Sequence, residues 1–142
     1  MNDFRFEVTK GDPKSEEFQT LSAGLLAHHA KNGHPRVWEK YCIFVKDNNN
    51  QVHAGIVVTF TWNDMHIDSL WVNETFRGKD YGTKLMRMAE EEAVKRGCTI
   101  AHTDTFSWQA PGFYEKLGYQ LFGKLEDYPK GCCLNYYFKK LK

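Results

Sequence analysis

The chain has 142 residues, of which 42% are apolar and 15% aromatic, a length that supports one hydrophobic core and so one expected domain over residues 1–142. Its 19 Lys and Arg nearly balance 18 Asp and Glu, and no basic run stands out, so nucleic acid is not expected as a main partner. No apolar run reaches membrane-spanning length, and the first six residues lack a signal-peptide core, so no membrane association and a cytoplasmic location are expected.

Phe4 to Thr9 alternates apolar and polar residues, which predicts a half-buried first strand. Gly11-Asp12-Pro13 breaks it. Ser15 can cap a helix whose first turn carries Glu16 and Glu17 and whose apolar face carries Phe18, Leu21 and Leu25. Asn32-Gly33-His34-Pro35 ends that helix, and a short second helix is expected around Val37 and Trp38. Tyr41–Lys46, Val52–Phe60 and Met65–Val72 read as three strands of an antiparallel meander, separated by turns at 47–50 and 63–64.

A polar loop with two glycines follows, Arg77-Gly78-Lys79-Asp80-Tyr81-Gly82, and then an amphipathic helix with Leu85, Met88, Ala89 and Ala93 at core spacing. Lys95 and Arg96 suit its negative end, and Gly97 closes it. Cys98–Thr103 is the next strand, and the crossover places it parallel to Met65–Val72. A helix opens at Ser107–Pro111 and ends at Gly118. Tyr119–Leu125 and Leu134–Lys139 form a last hairpin.

Strand, glycine loop and helix N-terminus together can hold a phosphate through converging backbone N–H groups. The spacing excludes a P-loop, because only three residues separate Gly78 from Gly82 and Thr83-Lys84 reverses the required order. The dinucleotide fingerprint is absent as well. Leu70-x-Val72, Arg77-Gly78-x-x-x-Gly82 and Phe113-Tyr114-Glu115-Lys116-Leu117-Gly118-Tyr119 resemble the GCN5-related N-acetyltransferases (GNAT), most closely over Met65–Tyr119 and in the manner of small bacterial members of undefined acceptor. One position departs from that family's loop: its central glycine falls on Asp80.

The resemblance implies an α/β fold of order β-α-α-β-β-β-α-β-α-β-β, a mixed, mostly antiparallel twisted sheet whose central parallel pair splays apart. It implies acetyl-CoA as acetyl donor, bound by the backbone of Leu70, Trp71 and Val72 and by the loop Arg77, Gly78, Lys79, Asp80, Tyr81, Gly82 and Thr83. Ser107 stands where the family often has a pantetheine-binding asparagine. Tyr114 aligns with the tyrosine that many members place beside the thioester sulfur, as general acid. Asp68 is the first candidate for the base, with His66 and Glu74 as alternatives.

The expected acceptor is a primary amine of a small molecule, with His28, His34, Trp38, Tyr128 and Tyr136 around it. A protein N-acetyltransferase and a non-catalytic CoA-binding module are the alternatives. Neither the histidines nor Cys42, Cys98, Cys132 and Cys133 have metal-ligand spacing, so free thiols and no metal are expected. Leu134, Tyr136, Tyr137 and Phe138 on the last strand suggest a homodimer.

Overall fold

The chain divides into two units, Met1–Arg36 and Val37–Lys142, seen in a computed structural model that describes residues 3–142. Among its described residues the first unit holds one helix, α1 (Ser15–Lys31), none of whose residues is buried. Lys14, not Ser15, occupies its N-cap position. The strand expected at Phe4–Thr9 does not form: Phe4, Phe6 and Val8 are exposed, and no described strand pairs with them. Alternation marks a segment suited to a sheet but supplies no ladder partner, and without one the backbone groups stay with water. The second short helix is also absent, because Trp38 opens a strand instead.

The second unit carries β1 (Trp38–Lys46), β2 (Val52–Thr61), β3 (Asp64–Val72), α2 (Tyr81–Lys95), β4 (Ile100–Phe106), α3 (Pro111–Lys116), β5 (Gln120–Glu126) and β6 (Cys133–Lys140). A 3-10 turn, Glu74–Phe76, follows β3. The six strands form one sheet in the order β1-β2-β3-β4-β6-β5. Every neighbouring pair is antiparallel except β3 and β4, which the α2 crossover makes parallel.

One sheet face packs on α2. Leu85, Met86, Ala89 and Ala93 of the helix meet Ala54, Ile56 and Val58 of β2 and Met65 and Ile67 of β3. Met88, expected in this stripe, is 51% exposed, and Met86 takes its place. At roughly 100° per residue, Met86 lies on the side of Leu85 that also holds Ala89 and Ala93, whereas Met88 falls on the other flank.

The parallel pair is short. β3 and β4 pair only at Asp64–Ile100, Met65–Ala101 and His66–His102. Beyond that rung Thr103 Oγ1 donates to the Ile67 carbonyl at 3.0 Å, and the strands then run unpaired with each other. The cause is visible on the other side of β3. Val58 pairs with Ile67 and Val57 with Ser69, so Asp68 is the extra residue of a bulge. A bulge bends its strand and increases the local twist, which turns the end of β3 away from β4. The splayed central pair that the resemblance implied is therefore present.

Candidate active site

Two cavities meet in the gap between the diverging strands. The outer one, about 570 Å³, is lined by the end of β3, the loop after it, the start of α2 and the segment 108–113. Leu70, Trp71, Val72, Arg77, Gly78, Asp80, Tyr81, Gly82 and Thr83 all line it. The inner one, about 320 Å³, lies between Ile67–Leu70 of β3 and Thr103–Thr105 of β4, with Tyr114 at its wall. Leu70, Gln109, Ala110 and Phe113 belong to both.

The loop has the geometry of an anion cradle. Gly78 has φ +80, a left-handed value open to glycine without strain. Asp80 is also left-handed, at φ 62 and ψ 21, and precedes α2 without capping it through its side chain. A helix start leaves its first N–H groups unsatisfied, and those of α2 open beside the outer cavity. Gly82 is needed for close packing: a Cβ there would stand 3.3 Å from the Phe113 ring. Arg77 Nε donates to the Val72 carbonyl at 3.3 Å, and the side chain is 61% exposed, so its guanidinium stays at the loop surface. These donors and this shape fit a pyrophosphate.

Two of the expected residues do not line the cavity. Lys79 places Nζ 5.6 Å from the Phe76 ring centroid. Ser107 pairs with β6: its N–H donates to the Cys133 carbonyl at 2.9 Å, and its Oγ accepts from Cys133 N–H at 3.3 Å. Gln109 folds back on its own turn, accepting at Oε1 from Phe106 N–H at 2.7 Å and from Thr105 Oγ1 at 3.2 Å.

In the inner cavity Tyr114 is 7% exposed, stacked on Tyr137 and edge-on to Phe113 and Tyr119. Burial pushes its phenol above the usual value, partly offset by a hydrogen bond with Thr103. It therefore stays protonated through the neutral range. Asp68 lines the same cavity from β3, but its carboxylate is heavily engaged. Oδ2 accepts from Lys40 Nζ at 2.9 Å and from Thr59 Oγ1, and Oδ1 accepts from His66 Nδ1. Burial pushes this acid up, and the three donors more than reverse that, leaving it below the usual carboxylate value.

An ionised carboxylate only accepts, so His66 Nδ1 carries the hydrogen of this bond. His102 repeats the arrangement with Asp64 at 2.9 Å, and the two imidazole centroids are 4.7 Å apart. The Asp64 hydrogen bond holds the His102 pKa above its ordinary value, against the effect of burial. Neither His66 nor Glu74 lines either cavity.

Sequence reasoning missed Asp104. It lies on β4 across the inner cavity from Asp68, is exposed, and its carboxylate has no ion pair or side-chain hydrogen bond among the described residues. The signal available was parity: it lies two positions after His102, and Thr103 and Thr105 point the other way. Trp108, also missed, lines the outer cavity. Tyr128 and Tyr136 lie in or beside the last hairpin of this unit, while His28 and His34 belong to the first unit.

The profile of the Acetyltransferase (GNAT) family matches residues 7–119. A blasticidin-S acetyltransferase of Streptomyces morookaense is 34% identical over 107 residues, covering 75% of this chain and 79% of that one. An acetyltransferase of Bacillus cereus superposes with a TM-score of 0.83 at 29% identity, over 94% of this chain and 98% of that one. One from Agrobacterium tumefaciens gives 0.86 at 28% identity, over 96% and 100%. The sheet, the splayed pair and these matches agree: the chain belongs to the GNAT family of acetyltransferases.

Proposed function

We propose that this enzyme moves an acetyl group from acetyl-CoA to a primary amine of a small molecule by direct attack on the thioester. The observation that carries the reading is the junction of the two cavities. One side is an anion cradle at Arg77–Thr83, and the other holds two carboxylates and a buried phenol. The relative named for blasticidin S supports a small-molecule acceptor.

The N–H groups at the start of α2, with Gly78 and Gly82 allowing close approach, bind the pyrophosphate. The Arg77 and Lys79 side chains add positive charge at the rim. Backbone groups of Leu70, Trp71 and Val72 run along the pantetheine arm. Ser107 acts indirectly here, by tying the loop before α3 to β6.

Tyr114 donates its proton to the departing thiolate. Asp68 remains the proposed base, its carboxylate held in place by the Lys40, Thr59 and His66 donors. Asp68 and Asp104 together hold the ammonium form of the amine before it loses its proton. An acid of lowered pKa is a weak base, so the proton leaves as the bond to the acetyl carbon forms rather than before it.

The family match crosses the boundary between the two units, which supports one functional domain over 1–142. Four unpaired cysteines fit a reducing compartment such as the cytoplasm. A homodimer through the β6 region completes the proposal. Calorimetric titration with acetyl-CoA, followed by turnover against a panel of primary amines, tests the core of it. Binding without turnover on any amine would reduce the protein to a CoA-binding module.

A further inference from the structure

His102, Asp104 and Phe106 alternate along β4 with the buried Ala101, Thr103 and Thr105, so they share the sheet face turned away from the core. At the end of that row Phe106 stacks on Trp108, with ring centroids 4.6 Å apart and planes within 7°. Tyr128 tilts against the same Phe106 ring at 5.6 Å and 53°. Trp108 is 58% exposed and Tyr128 48% exposed. Single exposed aromatics are ordinary, but here Phe106 joins two exposed rings into one patch, and Trp108 of that patch lines the outer cavity.

The patch is also fixed in place. Tyr128 N–H donates to the Cys132 carbonyl at 3.1 Å, Cys132 N–H to the Pro129 carbonyl at 2.8 Å, and Gly131 N–H to Asp127 Oδ1 at 2.9 Å. Gln109 pins the other side through Phe106 N–H. A ring stacked here loses little entropy to ordering of the protein, because the turn is already held. Trp108 joins the patch to the outer cavity, and Asp104, two residues before Phe106 on the same face, joins it to the inner one.

We propose that Phe106, Trp108 and Tyr128 form an acceptor subsite that selects small primary amines carrying a flat conjugated ring. The ammonium pairs with the unpartnered Asp104, and the ring lies against Phe106 and Tyr128. The inference rests on the acetyl-transfer reading. It adds the class of acceptor: a flat π face matched to aromatic side chains, and a positive charge matched to a carboxylate.

The test compares benzylamine with cyclohexylmethylamine, which share a reach and differ in having a flat or a puckered ring. kcat/KM is measured for each with the wild-type protein, Tyr128→Ala and Tyr128→Phe. Tyr128→Ala is expected to lower kcat/KM for benzylamine about three- to tenfold more than for cyclohexylmethylamine. Tyr128→Phe should restore the preference, and KM for acetyl-CoA should hold in both variants. Equal losses on both amines, or no wild-type preference, would overturn the inference. If neither amine turns over, calorimetry of both on the CoA-bound protein decides. Ring-selective binding that Tyr128→Ala removes supports the subsite while the acetyl-transfer reading falls, and no ring-selective binding overturns the subsite.

Discussion

Asp80 stands where the family's loop carries glycine, and its left-handed backbone explains that preference, since only glycine adopts φ near 60° without strain. Asp is among the residues that tolerate it, so the loop keeps its shape. The cost falls on ligand binding if the carboxylate faces the phosphates. Asp80→Gly should then tighten acetyl-CoA binding in a calorimetric titration. An unchanged affinity would place the carboxylate in solvent.

Tyr114 carries the clearer chemical forecast. Burial raises its pKa, which keeps the phenol protonated but makes it a weaker acid than an exposed tyrosine. General acid catalysis is worth ~10²- to 10⁴-fold, and a reluctant acid belongs at the lower end. Tyr114→Phe should lower kcat by about 10²-fold. Its thermal midpoint should shift little, because only one hydroxyl of a packed ring is lost. An acyl donor with a more acidic thiol should show a smaller loss. A Phe variant with near-normal kcat, where chemistry limits the rate, would make the hydroxyl structural.

Among the elements, α2 gives a direct check of packing. Met86 is fully buried and Met88 is 51% exposed. Met86→Ala should cost about 2–5 kcal/mol in denaturant unfolding, and Met88→Ala within about 0.5 kcal/mol. Similar losses at both positions would contradict the helix phase described here. The sequence carried the strand–loop–helix–strand run because each piece has its own local signal: a β-rich stretch, glycines, a 3.6-residue apolar period and a Gly97 stop.

The strand expected at Phe4–Thr9 rests on local alternation and the helix near Val37 on a short apolar stretch, and such local signals yield to what the rest of the chain supplies for pairing. At Met88 the apolar spacing alone does not settle which flank of the arc set by Leu85, Ala89 and Ala93 turns inward. Asp104 and the aromatic patch were harder still. They become a site only after the bulge at Asp68 parts β3 from β4, and a bulge leaves almost no mark in sequence.

At the scale of the whole molecule, two linked charges give opposite pH signatures. The Asp68 acid is held below its usual value, so its contribution to stability is present above the unfolded pKa near ~4 and is lost as pH falls through the lower folded value. His102 is held above its usual value. Its contribution is complete below the unfolded pKa near ~6.5 and is lost as pH rises through the folded one. The stability difference between wild type and His102→Asn should therefore be larger at pH 5.5 than at pH 9, as read by thermal unfolding. A difference independent of pH would separate His102 from Asp64.

Assembly is a further property of the whole chain. On β6, Leu134 and Tyr137 are core residues, whereas the half-buried Tyr136 and Phe138 pack on the exposed Phe122 of β5, and the proposed homodimer would cover these three rings. Light scattering should give twice the chain mass, and a monomer at high concentration would contradict the proposed dimer.

The proposed reaction is acetyl transfer to an amine where the cradle meets the splayed strands. Amine-dependent release of free CoA thiol from acetyl-CoA tests it most directly, read alongside the mass of the amine product. One thiol is expected for each acetylated amine in the wild-type protein, with a rate about 10²-fold lower in Tyr114→Phe at unchanged acetyl-CoA affinity. Thiol release that ignores the amine, or no release from a protein that binds acetyl-CoA well, would contradict it.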